Sequence, residues 1–235
     1  MASNKKEKGK FSLAVIRKVI RLLKYWIAYY MANFTAENLK LCVSRGNKKI
    51  GHVLNVSLAP IITCGNCAAC KYWCYDIKAV LAYPSAMLAR ARNTAIFKMN
   101  RDVFFGQLYQ VMRKRKTNKY LRFHVSGEIV DYNHFDRMVK TAIDFPDFRI
   151  WTYTKMYWIV NEWINKNGQL PENFSVMFSE WKGVKMDNPH NLPVFTCAFD
   201  EKDKAGKMLC PGNCNVCKEK KTGCIYRKSA FVLPH

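Results

Sequence analysis

The chain has 235 residues, 49% of them apolar and 14% aromatic, which excludes a disordered protein and leaves room for one large α/β domain or two small ones. Its 39 Lys and Arg against 17 Asp and Glu give a net charge of +22. An excess of that size points to a polyanionic partner, either nucleic acid or an anionic membrane surface.

Near the N-terminus, Lys5, Lys6, Lys8 and Lys10 precede "FSLAVIRKVIRLLKYWIAYYMANF". Leu13, Ile16, Ile20, Leu23 and Ile27 share one helical face, and Arg17, Arg21 and Lys24 share another. The spacing predicts a basic amphipathic helix within residues 1–35. With Lys18 added, four charges interrupt the apolar run, so it cannot span a bilayer. It could dock on one or pack on its own domain.

"LKLCVSRGNKKIGHVLNVSL" then predicts a β-hairpin around "RGNKK", with Cys42 as a strand residue rather than a ligand. The second strand runs into "CGNCAACKYWCY", which places Cys64, Cys67, Cys70 and Cys74 in the spacing C-x2-C-x2-C-x3-C. Two disulfides in so short a run would be strained. The spacing is the ferredoxin-type run for a [4Fe–4S] cluster, in which each thiolate has its own iron. Zinc is the rival, although it needs all four sulfurs about 2.3 Å from one centre.

Helical stretches follow from about Asp76 to Phe97 and from Arg101 to Lys116, the second ending in "RKRK". Arg113, Lys114, Arg115 and Lys116, with Lys119, form the densest basic cluster and are candidates for phosphate contacts; Lys218, Lys220 and Lys221 form a second. Four strand-like runs come next: Leu121–Ser126, Phe148–Tyr153, Phe174–Ser179 and Leu192–Cys197. "NHFDRMVKTAID" and "MYWIVNEWINKN" supply helices between the first three. Strand and helix in alternation imply a parallel sheet. The expectation is a partial β/α barrel over residues 36–197 with helices outside, a doubly wound open sheet being the competing architecture. Residues 198–235, rich in Lys, Gly and Cys, would be a small metal-bound tail.

In such a fold functional residues gather where strands end. "RFHVSGE" puts His124, Ser126, Gly127 and Glu128 at one strand end. "WTYTK" puts Tyr153, Thr154 and Lys155 at the next, and "FSEW" puts Ser179 and Glu180 at a third. His124, Glu128 and Lys155 are the candidate catalytic residues. Each has an ordinary alternative: a core histidine, a carboxylate opening a helix, a surface lysine. In the tail, four of the five cysteines Cys197, Cys210, Cys214, Cys217 and Cys224 would close a zinc site or a second cluster. Cys74 could serve either set. The grouping of the cysteines, with no secretory signal ahead of them, fits a reducing cytosol.

Several of these motifs occur together in a known family. "GNKKIG", "VSLAPIITC", "CKYWCY", "RFHVSGE", "YTK" and "CPGNCNVC" give the chain, over roughly residues 40–220, a resemblance to the gene product 88 family of phages and prophages. That implies a cysteine-cluster protein working in the host cytoplasm, and implies no particular reaction. This chain has Glu128 where "SGD" is the expected pattern. A more distant likeness is to radical-SAM enzymes, whose partial barrel carries a cluster loop after its first strand and a Gly-Gly-Glu-like motif after the second. The likeness would make S-adenosylmethionine a cofactor, with Ser126, Gly127 and Tyr153 beside it. Three classes remain open on sequence: an iron–sulfur protein acting on or with nucleic acid, a non-catalytic zinc-stapled nucleic-acid binder, and a peripheral membrane protein.

Overall fold

The computed structural model describes residues 10–65, 67, 70–181, 183–198 and 200–233. Helix α1 (Leu13–Asn33) starts at Ser12, whose hydroxyl accepts from the Val15 N–H. Its stripe of Ile16, Val19, Leu23 and Ile27 is buried, mainly against α3 (Pro84–Met99). Among the described residues, no helix is long and apolar enough to cross a membrane.

Strands β1 (Val43–Ser44) and β2 (Leu54–Val56) pair antiparallel, Val43 opposite Val56. The connection is longer than a tight turn and folds on itself through an Asn47–Gly51 bridge. Gly46 (φ +107) is required there, because a Cβ would lie 1.7 Å from the Gly51 carbonyl oxygen.

The helix expected over Asp76–Phe97 is two helices, α2 (Tyr75–Ala82) and α3. Pro84 is the cause: Tyr83 before it is extended (φ −129°, ψ 102°), as a residue preceding proline prefers. Helix α4 (Arg101–Arg113) is capped by the Asn100 side chain.

Strands β3 (Tyr120–Phe123), β4 (Arg149–Thr154), β5 (Phe174–Glu180) and β6 (Val194–Cys197) then add to β2 in chain order, all parallel. Helices α2 to α4 lie in the crossover from β2 to β3, and α5 (Tyr132–Asp144) and α6 (Tyr157–Asn167) fill the next two. Strand β3 stops earlier than its apolar run suggests, since His124 takes a left-handed φ of 56°.

Residues 208–232 supply two strands that the sequence did not announce. These are β7 (Met208–Leu209) and β8 (Ala230–Val232); β8 lies parallel to β6, with β7 outside it. The result is an eight-stranded, mostly parallel sheet of order β1-β2-β3-β4-β5-β6-β8-β7, open at β1 and β7.

The two faces of the sheet are covered differently. Leu54, Val56, Leu121, Phe123, Ile150, Phe174, Val176 and Phe178 share one core with residues of α1 to α6. Val53, Trp151 and Met177 face the other way and pack with Cys217, Cys224, Ile225 and Ala230. Sequential strand order with the crossover helices on one face is a singly wound arrangement and excludes the doubly wound alternative. It leaves one sheet face to the C-terminal segment.

Candidate metal centre and polar rim

Strand β2 leads through Ser57–Thr63 into the cysteine loop. Thr63 turns the chain, its N–H and its hydroxyl both donating to the Ala59 carbonyl. Cys70 begins a single helical turn (Cys70–Trp73), and Cys74 stands at the N-cap of α2. Burial pushes the Cys64 thiol well up; the charge of Glu128 adds to this, and Cys74 and Cys67 contribute. Cys67 is raised by burial and then by Cys70, with Lys71 and Lys155 opposing. Burial takes Cys74 to about 11, against the pull of the Ile77 and Asp76 N–H groups at the start of α2. Cys74 is thus a neighbour of Cys64 and of Cys70.

The loop after β3 is stitched onto this segment. Ser126 donates its hydroxyl to the Leu58 carbonyl (3.0 Å), and its own carbonyl accepts the Leu58 N–H (3.0 Å). Gly127 (φ +82) comes so close that a Cβ would lie 2.8 Å from both Leu58 Cβ and Thr63 Oγ1. That approach brings Glu128 to the Cys64 side. Its Oε1 accepts the Ile129 N–H and its Oε2 the Lys155 N–H, both at 2.9 Å. Burial raises the Glu128 carboxyl's pKa, while the Lys155 charge and these two N–H groups act against it. Lys155 reaches over the Trp181 ring, 5.9 Å from its centroid. Cys64, Glu128 and Lys155 thus come together from the ends of three adjacent parallel strands.

Two other rim candidates face elsewhere. The His124 ring packs at 5.0 Å on His134 of α5, inside the helix-side core, and neither of its nitrogens has a hydrogen-bond partner among the described residues. Tyr153 lies on the opposite sheet face, with the Arg122 guanidinium over its ring at 4.5 Å and the Phe195 ring edge-on at 5.0 Å. The Tyr153 hydroxyl meets Cys224. Ser126 is spent on internal hydrogen bonds.

Cys224 belongs to a second thiol set. Cys214 and Cys217 lie one turn apart on α7 (Cys214–Glu219), Cys210 follows β7, and Cys224 sits in the turn Gly223–Tyr226. Burial raises Cys214, Cys217 and Cys224, the last to about 12, and in each case Cys210 adds to the rise. Cys197 stands apart, raised by burial and by Asp203. Gly223 (φ +68) allows close packing, since a Cβ there would approach the Cys217 sulfur to 2.9 Å.

The donor sets bear on which metal would fit. Among the described residues, no three His, Cys, Asp or Glu side chains converge tightly enough to hold one metal ion. A single zinc draws four sulfurs to about 2.3 Å from one point, hence roughly 3.8 Å from each other. A cubane gives each sulfur a separate iron and tolerates a wider ring. The first set offers four thiols of one loop, with the charges of Lys71 and Lys155 acting on Cys67; it is their ferredoxin-type spacing in the sequence that favours a cluster over a single ion.

The nucleic-acid candidates are spread over the end of α4. Arg113, Lys114 and Lys116 are exposed. Arg115 donates to the His52 carbonyl at 3.3 Å. Lys119 is neutralised by Asp147. Cys42 is held by Asn93, which accepts its N–H (2.8 Å) and donates to its carbonyl (2.9 Å) and to that of Ser57 (3.0 Å). Asn93, Arg122 and Asn215 are central residues that no local sequence signal singled out.

The paired histidines give one test of this packing. Burial lowers His124 to about 3, helped by Arg122, and lowers His134 well below its ordinary value. The unfolded chain protonates both imidazoles below about pH 6.5 and the folded chain does not. Their contribution to stability is therefore intact above pH 6.5 and shrinks as the pH falls. At pH 5 the loss is expected to be about 2 kcal/mol for His124. His124→Asn keeps a residue tolerant of positive φ. In urea titrations between pH 6.5 and 5 it should remove one proton's worth of slope; an unchanged slope would contradict the neutral buried pair.

The fold and the site together define a class: an open, singly wound α/β protein with a four-thiol loop at the C-terminal end of its first parallel strand. The chain belongs to the gene product 88 family, whose model matches residues 32–193. The match takes in the first thiol set, Glu128 and Lys155, and ends before Cys197 and the second set. No curated protein and no solved structure matches the chain.

Proposed function

We propose that this gene product 88 protein binds a [4Fe–4S] cluster through Cys64, Cys67, Cys70 and Cys74, and acts on or alongside nucleic acid in the cytoplasm of the host cell. What supports the reading is that Cys64, Glu128 and Lys155 meet at one end of the parallel strands, beside a loop that carries Cys67, Cys70 and Cys74 in the ferredoxin-type spacing. A structural staple needs only the ligands. The buried carboxylate and the ammonium beside it are what a reacting site would add. When bound, the cluster would supply electron transfer or radical initiation. Glu128 would hold the Lys155 backbone in place and present a negative charge at the cluster's edge, and Lys155 would balance the charge of the thiolates.

The S-adenosylmethionine version of this reading has less support, because Ser126 and Tyr153 are turned to internal partners. The membrane-surface alternative is weakened by the burial of the apolar stripe of α1. The zinc-stapled alternative keeps its footing at Cys210, Cys214, Cys217 and Cys224, where zinc would serve as well as iron.

Metal analysis decides among these readings. Protein purified without oxygen is expected to be brown, with broad absorbance near roughly 400 nm and with iron and sulfide at about four each per cluster. Colourless protein carrying only zinc, even after incubation with iron and sulfide, would overturn the iron–sulfur assignment.

A further inference from the structure

We propose that the concavity between the β1–β2 connection, the end of α4 and α7 is a cleft for single-stranded nucleic acid, in which Arg45, Lys48 and Arg115 grip phosphates and His52 stacks an unpaired base. It rests on the nucleic-acid part of the reading above and names the surface that would serve it. The cavity has a volume of about 650 Å³. Three separate chain segments wall it: Arg45, Asn47, Lys48 and His52 from the connection, Arg115 from beyond α4, and Asn215 from α7.

Charge is the first argument. None of the lining residues is acidic, and none of Arg45, Lys48 and Arg115 has a carboxylate partner among the described residues. The carboxylates that pair with cations lie elsewhere, Asp76 with Arg90, Asp131 with Arg101, Asp102 with Arg137 and Glu180 with Lys207; with 39 Lys and Arg against 17 Asp and Glu most cations of the chain have none, and what sets these three apart is that they share one concavity. Arg113, Lys114 and Lys116 continue the positive surface outward. Cations left unpaired in a concavity raise the local concentration of polyanions and repel one another until one binds.

The second argument is construction. Gly51 (φ +67) lies so close to α7 that a Cβ would stand 2.0 Å from the Asn215 side-chain oxygen. The Cys214 N–H donates to the Lys49 carbonyl at 2.8 Å. The connection and α7 are thus locked together, and the cleft between them is a built feature of the fold rather than a chance of flexible lysines. A space closed on three sides admits a flexible strand, whose phosphates and bases can enter together. The exposed imidazole of His52 offers a flat face to a base. A duplex keeps its bases stacked inside and can use only the outer cations.

The test measures binding of fluorescent oligothymidylate by the full chain over a range of salt concentrations. Arg45→Gln, Lys48→Gln and Arg115→Gln combined should weaken binding at low salt by at least about tenfold. They should also flatten the log–log salt dependence by about 2, at roughly 0.7 for each phosphate that the variant no longer neutralises. Metal content and circular dichroism of the variant establish that it is folded. A matched variant with Arg17, Arg21 and Lys24 on α1 changed to Gln should bind as the wild type does. Equal weakening in both variants would mean that the net charge acts diffusely and would overturn the cleft. Binding that survives the cleft substitutions would overturn it too, while leaving nucleic-acid binding standing. Tighter binding to duplex than to the single strand would overturn the single-strand assignment. If the wild-type chain binds no nucleic acid at low salt, the nucleic-acid reading falls and the cleft with it; the iron–sulfur assignment is then judged on metal content alone.

Discussion

Replacing Glu128 with alanine is expected to lower the unfolding free energy by on the order of 4 kcal/mol, whereas Glu128→Gln should cost less than half of that. Both oxygens of the Glu128 carboxylate accept backbone N–H groups, one from Ile129 and one from Lys155. Alanine removes both acceptors in a place closed to water, and each orphaned buried donor costs about 1–3 kcal/mol. Glutamine keeps one acceptor oxygen and carries no charge to bury. The comparison also separates structure from chemistry. Burial holds the carboxyl's pKa above its usual value, so the ionised form is disfavoured in the fold, and this contribution worsens as the pH rises through the folded-state value. A position serving only to tie two loops together would be met nearly as well by an amide. If Glu128→Gln folds, takes up a full complement of metal and yet changes the cluster's redox or spectroscopic behaviour, the charge has a functional role. If alanine is tolerated with a loss under about 1 kcal/mol by urea titration, the bridge between the loops does not exist.

The same carboxylate shows what sequence alone could reveal. Its place was legible because strand ends are where parallel sheets gather function, and "RFHVSGE" follows an apolar run with strand character. The order of β2 to β6 was legible for a similar reason, through regular alternation with helical periods. Side-chain direction at the strand ends was not. His124 takes a left-handed backbone that turns its ring into the helix-side core, and no residue-type signal marks that for a histidine. Tyr153 could be assigned to one face of its strand by alternation. Which face would be covered by residues 210–225 depended on contacts far apart in sequence.

The short strands β7 and β8 escaped for another reason. Two or three residues are too few to show a period of two, so Met208–Leu209 and Ala230–Val232 looked like loop. Their pairing with each other and with β6 draws the C-terminal cysteines onto the sheet. Pro84 could have been read as a helix boundary, since the residue before proline resists helical backbone, but the expectation of one stretch over Asp76–Phe97 passed over it. The Asn93 clamp on Cys42 and Ser57, and the Gly51–Asn215 contact, are long-range pairings that become visible only in three dimensions.

Substituting Ser at both Cys214 and Cys217 is expected to release a metal equivalent and, with it, the packing of residues 198–233 on the sheet. This segment has little else to order it: one helix of six residues, two short turns and two strands of two and three residues. Its buried apolar contribution to this face is small, Cys217, Cys224, Ile225 and Ala230 against Val53, Trp151 and Met177, with Met208, Cys214 and Tyr226 partly buried beside them. Metal ligation would therefore supply much of the folding energy, and zinc-finger peptides draw about 10–16 kcal/mol from that source. Loss of the metal should uncover Trp151, which is fully buried, so its fluorescence should shift to longer wavelength. Limited proteolysis should cut within 198–233 while leaving the helix-covered side intact. Metal uptake should also tighten as the pH rises, because burial holds these thiols in their protonated form and each ligand must release its proton on binding. Cys197→Ser provides the control, since Asp203 and not another cysteine is the charge that acts on that thiol; it should leave metal content unchanged. Wild-type metal content and an unaltered protease pattern in the double variant would show that the four C-terminal thiols pack as small apolar groups and hold no metal.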